Sequence, residues 1–307
     1  MPLVCSRLSM TTPAALPRWL GVSLLLLIAV SFAGNHVSAR LAFDHGANVA
    51  TAVAVRSFGT AVFVLLLLRQ AGVVVRMPLP TLRRAAAIGL LVSIQSLCLY
   101  SAVARIPVAL ALLAFNTFPL MLGLISWAAG AERPSRRAFF AMPVALLGLA
   151  LALDVAGLAG PATASESLAT GVAFALGGAA AFATALFLTT RWLGTTDGRL
   201  RTLVLMSVVA LVALASGMLG GSFHWPHDGI GWFALALLTV LYGTAITALF
   251  VLLPRLGAVN NAAVLNFEPI AALLLGWIVL DQRVAPIQAL GAFIVIGAIV
   301  MLTTGRR

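Results

Sequence analysis

Long apolar segments follow one another along almost the whole chain, and they constrain the fold more than any other feature. Ten of them reach the length of roughly 20 residues that a helix needs to cross a membrane. They cover residues 19–39, 47–68, 85–104, 107–129, 137–155, 168–190, 201–220, 229–252, 257–279 and 284–304. Only 9% of the residues are charged, too few to cover the surface of a soluble domain. The sequence therefore predicts an all-α integral membrane protein with ten transmembrane helices.

The placement of the arginines predicts the orientation of these spans. If the N-terminus is cytoplasmic, fifteen arginines lie in cytoplasmic segments, and only Arg40, Arg105 and Arg283 lie in outer loops. Positive charge is retained on the cytoplasmic side, so both termini are expected there. The net charge of +11 serves this topology. The basic residues form no stripe or patch, and nucleic acid is not an expected partner.

Two short motifs, AFNTFP at 114–119 and LNFEPI at 265–270, indicate an internal repeat. An offset of 150 residues places the asparagine and the proline of the first motif on those of the second. Each half holds five spans, an odd number, so the second half enters the membrane from the opposite side. We expect two inverted five-helix repeats, residues 1–155 and 168–307, in one transmembrane unit. Repeats of this kind occur in secondary transporters, which bind substrate near the membrane midplane between the halves.

Two ionisable residues fall near the middle of predicted spans, Arg56 in span two and Glu268 in span nine. A charge at that depth costs about 2.5–3.5 kcal/mol on insertion scales, so each should face the protein interior and have a partner. Opposite charges at equal depth suggest that Arg56 and Glu268 pair, directly or through water. Such a pair could line or gate a substrate path. It could equally be a structural element of helix packing.

Further polar residues extend this candidate site. Asn261 shares a helix face with Glu268, and the equivalent of Glu268 in the first half is Phe118, which makes the two faces chemically different. Asn116 and Asn266 precede Pro119 and Pro269, and they either line the site or bond carbonyls that the prolines leave free. The remaining candidates, which could bind substrate or simply join neighbouring helices, are Asn35, His36, Gln95, Ser96, Tyr100, Tyr242, Thr244 and Thr247.

Several of these motifs together resemble one known family. FAGNHVSAR at 32–40, Arg56, GAERPS at 130–135 and LNFEPIAALLLGWIVLDQR at 265–283 are similar, in order and spacing, to the EamA family of the drug/metabolite transporter superfamily. The resemblance implies a bacterial inner-membrane carrier that works by alternating access. Efflux of amino acids, metabolites or drugs is the common activity of that family. The acid Asp281 stands where the family usually has glutamate.

The sequence offers no phosphate-binding loop, so energy should come from a gradient, exchange or an ion. Glu268 is then the natural proton carrier, although proton coupling stays open. No cofactor, metal site or catalytic set of residues is expected. The alternatives are an uptake or exchange carrier of the same fold, a channel, or a membrane-embedded enzyme. The expected partners are the lipid bilayer and a small organic substrate, and a homodimer stays open.

Overall fold

A computed structural model describes residues 18–130, 140, 143–144, 147–148, 151, 166–220, 223–256, 267–282 and 285–304. Within these ranges the regular secondary structure is helical. The helices are α1 (Arg18–Asp44), α2 (Val49–Gln70), α3 (Leu79–Val103), α4 (Val108–Phe115), α5 (Phe118–Ala128), α6 (Glu166–Leu193), α7 (Gly198–Leu219), α8 (Gly229–Leu256), α9 (Glu268–Leu280) and α10 (Pro286–Thr304). The all-helical class predicted from the sequence is confirmed for this part of the chain.

Seven stretches of the described chain are long and apolar enough to cross a membrane. They are α1, α2, α3, the α4–α5 stretch, α6, α7 and α8, whereas α9 and the apolar part of α10 are shorter. The fourth predicted span is interrupted, because α4 ends at Phe115 and α5 begins at Phe118. Most of the fifth predicted span, and residues 152–165 that follow its last described residue, lie outside the described part of the chain. The total of ten spans stays a prediction.

Capping residues and prolines determine where several of the helices begin. Asn48 caps α2, since its side-chain oxygen accepts a hydrogen bond from the Thr51 backbone nitrogen at 2.9 Å. Asp197 caps α7 in the same way through the Arg199 nitrogen at 2.8 Å. A proline stands in the first turn of α3, α5 and α9, where the missing N–H would have no helical partner. These caps satisfy backbone groups that an apolar surrounding would otherwise leave unpaired.

Helix packing joins the two halves more extensively than it joins neighbours in the chain. The largest contacts are α3 with α6, α1 with α8, and α2 with α7. If α6, α7, α8 and α9 are the counterparts of α1, α2, α3 and α5, exchanging the halves turns the α3–α6 contact into α8–α1. The same exchange leaves the α2–α7 contact unchanged. This pairing is what two halves related by a two-fold axis would produce.

The loop between α1 and α2 lies against the loop between α7 and α8. The Asn48 nitrogen donates to the His224 carbonyl at 3.2 Å, and His45 Nδ1 lies 2.7 Å from Asp228 Oδ2. Hydrogen bonds from the Gly231 nitrogen and from His45 hold the pKa of Asp228 below its usual range. The predicted topology puts both loops on the outer side of the membrane, and their contact is consistent with that assignment.

Close approach between the halves depends on small residues, as is common where helices pack in lipid. Gly178 of α6 is buried, and a Cβ added there would lie 3.3 Å from the Gln95 carbonyl oxygen and 3.5 Å from the Leu99 nitrogen of α3. Its neighbour Gly177 is exposed, and a Cβ there would meet no atom within 4 Å. The glycine pair therefore has one packing member and one outward member.

We expect Gly178→Leu to destabilise the protein by about 1–3 kcal/mol or more, because the added side chain would have to displace the α3 backbone. Gly177→Leu is the matched control, since the same side chain one position earlier points into open space. Thermal unfolding of both variants in detergent would measure the difference. Equal loss of stability in the two variants would contradict the packing described here.

Candidate functional site

A buried guanidinium lies at the centre of the polar contacts inside the helix bundle. Arg56 of α2 is only 3% exposed, and it donates to the Tyr100 hydroxyl at 3.2 Å and to the Ser96 hydroxyl at 3.0 Å. Its guanidinium carbon also lies 4.7 Å from the ring centre of Tyr100 and 4.1 Å from that of Tyr242. A desolvated cation over an aromatic face gains roughly 2 kcal/mol, so the two rings offset part of the cost of burial.

The hydrogen-bond directions in this cluster follow from the chemistry of arginine. A guanidinium has only donors, so the Tyr100 oxygen must accept from Arg56. The Tyr100 proton is then directed to Asn35 Oδ1, which lies 2.9 Å away on α1. This contact fixes the orientation of the Asn35 amide. The resulting chain, Ser96–Arg56–Tyr100–Asn35, joins α1, α2 and α3 within the first half.

Glu268 pairs with His36 and not with Arg56. His36 Nε2 of α1 lies 3.5 Å from Glu268 Oε1 at the first residue of α9, and the described residues contain no ion pair between Arg56 and an acid. Direct pairing of Arg56 with Glu268 is therefore wrong as an expectation. The reason is helix placement, because α9 packs on α1 and α4 whereas α2 packs on α7 and α8.

The Arg56 cluster and the His36–Glu268 pair are neighbours. The His36 ring meets the Tyr100 ring edge to face, with ring centres 5.7 Å apart. Tyr242, which comes from α8, covers Arg56 from the other half of the molecule. We call the group formed by Asn35, His36, Arg56, Ser96, Tyr100, Tyr242 and Glu268 the central polar cluster. It takes residues from α1, α2 and α3 and from α8 and α9, and thus lies where the two halves meet.

Phe118 belongs to a different part of the bundle from the central polar cluster. Its ring contacts Phe115 and Phe182, with ring centres 5.6 and 4.9 Å away, so that α5 packs on α6. Asn116 lies in the break before Phe118, where its side chain donates to the Leu112 carbonyl at 2.8 Å. The amide thereby reinforces the end of α4, but it does not bond the Phe115 carbonyl that Pro119 frees.

Some of the other candidate residues from the sequence are described by the structure, and others are not. Thr244 and Thr247 donate to carbonyls of their own helix, Val240 at 2.6 Å and Gly243 at 2.7 Å. Asn261 and Asn266 lie outside the described residues, and their proposed roles stay predictions. Asp281 ends α9 in a left-handed conformation, with φ 49°.

Sequence reasoning did not identify His36 as the partner of Glu268, and it missed Phe32, whose ring lies 6.0 Å from that of Tyr242. One signal was available. Phe32, Asn35 and His36 have the spacing of residues that share a helix face. That spacing marks the inward side of α1, but it cannot show which helix the side faces.

We expect Tyr100→Phe to destabilise the protein by about 1–3 kcal/mol, because Arg56 and Asn35 would each lose a buried hydrogen-bond partner. Tyr242→Phe is the control, since the Tyr242 hydroxyl makes no hydrogen bond within the described part of the chain and its ring would stay over Arg56. It should change stability by no more than about 0.5 kcal/mol. Thermal unfolding in detergent compares the two. Similar losses in both variants would count against the Arg56–Tyr100–Asn35 chain.

Comparison with known proteins agrees with the duplication. The sequence model of the EamA-like transporter family matches twice, at residues 19–153 and 169–304. A solved structure titled "Crystal structure of protein" is similar with a TM-score of 0.60 at 18% identity, over 93% of this chain and 96% of that one. No curated protein matches the chain. The two family matches begin 150 residues apart, which is the offset that aligns the AFNTFP and LNFEPI motifs, and together they span most of the sequence. The chain belongs to the EamA-like transporter family.

Proposed function

We propose that this protein is a secondary transporter of small organic molecules that works by alternating access, with efflux as its direction. One observation carries the proposal: the central polar cluster is buried in an apolar bundle and built from both halves. Polar groups are costly in such a setting and commonly mark a transport path. A site shared by two repeats can be opened to one side or the other when the halves rock against each other.

The symmetric pairing of the helices supports inverted repeats. The three largest contacts between the halves map onto one another when the halves are exchanged, as a two-fold axis that relates the repeats would require. The equivalent residues Phe118 and Glu268 each begin a helix, α5 and α9. We place the bundle in the bacterial inner membrane with both termini cytoplasmic, on the arginine distribution.

We further propose that Glu268 couples transport to protons through His36. His36 Nε2 lies 3.5 Å from Glu268 Oε1, and Glu268 begins α9, where the helix dipole favours the ionised acid while the apolar surroundings favour the neutral one. A group held between protonated and ionised forms can take a proton on one side and release it on the other. Substrate exchange between two sides of equal pH would not require this step.

We expect Glu268→Gln to abolish most of the accumulation that a pH gradient drives, because glutamine can neither take up nor release a proton. The assay is uptake of labelled substrate into proteoliposomes with an imposed pH gradient. Asp228→Asn is the control, because that carboxyl lies in an outer loop and pairs with His45. Counterflow at equal pH should survive in both variants. Gradient-driven accumulation at the wild-type level in Glu268→Gln would refute proton coupling through this acid.

The same vesicles distinguish the rival functions. A carrier gives saturable flux and counterflow, whereas a channel gives flux without either. A membrane enzyme would return a changed compound, which mass spectrometry of the vesicle contents would detect. Loss of saturable flux and counterflow with every substrate tested would overturn the transporter proposal itself.

A further inference from the structure

The charge of Arg56 has no matching acid within the described residues. Its nearest oxygens belong to the neutral hydroxyls of Tyr100 and Ser96, and the ion pairs of this part of the chain do not include it. Glu268, the acid of the central polar cluster, is in contact with His36. Aromatic faces and hydroxyls stabilise a buried cation only in part. The central polar cluster therefore keeps one buried positive charge without a counter-ion.

Unused hydrogen-bond donors surround the same charge. Arg56 Nε and Asn35 Nδ2 are buried and have no hydrogen-bond partner, and the two side chains contact the same Tyr100 hydroxyl. Both groups can only donate, since Arg has no acceptor and the Asn35 oxygen is taken by Tyr100. Leaving such donors unpaired costs about 1–3 kcal/mol each, so this arrangement favours an acceptor.

The chemistry of the acceptor follows from charge and surroundings. One uncompensated positive charge matches a single negative charge, which a carboxylate carries, whereas a phosphate dianion would need a second cation. The half-buried rings of Tyr242 and Phe32, whose centres lie 6.0 Å apart, provide apolar groups beside the donors. An organic cation placed here would be repelled by Arg56 at low dielectric.

We infer that the substrate is an organic monoanion whose carboxylate binds Arg56 and Asn35, with its apolar part against the aromatic rings. This inference rests on the proposed transport function and names the substrate class that the central polar cluster selects. Glu268 and His36 act separately from this subsite, so that anion binding and proton movement use different residues. Asn35 is a specificity-determining residue, because its free amide hydrogens can bond only an acceptor.

The test measures binding by the purified protein in lipid nanodiscs, as the rise in melting temperature with three matched probes. These are 3-phenylpropanoate, its amide 3-phenylpropanamide and the cation 3-phenylpropylammonium. A second set of three carries the same head groups on a 4-methylpentyl chain. The carboxylates should stabilise the wild type, because a bound ligand raises the stability of the folded state. The amides and the amines should not. Equal stabilisation by all three head groups, or by no carboxylate, overturns the inference.

Substitutions at Arg56 and at Asn35 test whether carboxylates bind at this subsite, and Arg69→Gln is the control. Arg56→Gln should weaken carboxylate binding by about tenfold or more, since charge-assisted hydrogen bonds are lost. Arg69→Gln removes an exposed arginine from the same helix and should leave binding unchanged. Asn35→Asp covers the case in which Arg56→Gln fails to fold, because it supplies an internal carboxylate beside Arg56. That variant should fold and should lose the response to carboxylates. Wild-type binding in Asn35→Asp or in Arg56→Gln would refute the subsite.

A second measurement separates this inference from the proposed function. Counterflow of a labelled carboxylate in proteoliposomes should require Arg56 and survive in Glu268→Gln. Binding of carboxylates without counterflow of any compound would overturn the transport function and leave the anion subsite in place. Saturable counterflow of an amine or an amide that is unaffected by Arg56→Gln would overturn the anion subsite and leave the transport function in place.

Discussion

A guanidinium buried inside an apolar helix bundle places demands on every element around it. Arg56 can remain charged there only if neighbouring helices supply acceptors and polarisable surface. Tyr100 and Ser96 on α3 supply hydroxyls, and Tyr242 on α8 supplies an aromatic face. The register of α2 against α3, and the approach of α8 from the other half, must both be correct for this to occur. The energetic requirements of one side chain thus couple the packing within a half to the packing between halves.

The two repeats share sequence motifs, but matched positions in them carry side chains of different chemistry. The equivalent positions 118 and 268 both begin a helix, α5 and α9. The side chains there have opposite uses. Phe118 packs among aromatic rings against α6, whereas Glu268 meets His36 beside the central polar cluster. Two positions that match in the repeat therefore carry side chains of opposite chemistry, one aromatic and one acidic.

Much of the fold could be predicted from the sequence, because its signals are local. A span is recognised from its own apolar length, and the repeat from matching motifs. The central polar cluster depends on contacts between segments that lie far apart in the chain. Depth in the membrane placed Arg56 and Glu268 at one level, but depth does not give the angle around the bundle. Because α9 packs on α1, the partner of Glu268 is His36, which the sequence alone could not identify.

Separating Arg56 from Glu268 changes what the cluster can do. Had the two formed a direct pair, their charges would cancel, and the site would bind an ion only by breaking that pair. With Glu268 beside His36, protonation of the acid alters its contact with His36, while the positive charge beside Tyr100 remains available. The Tyr100 ring lies between the two, in edge-to-face contact with His36 and beneath Arg56. Binding of an anion beside Arg56 and a change in charge at Glu268 can therefore involve different residues of one cluster, with the Tyr100 ring between them.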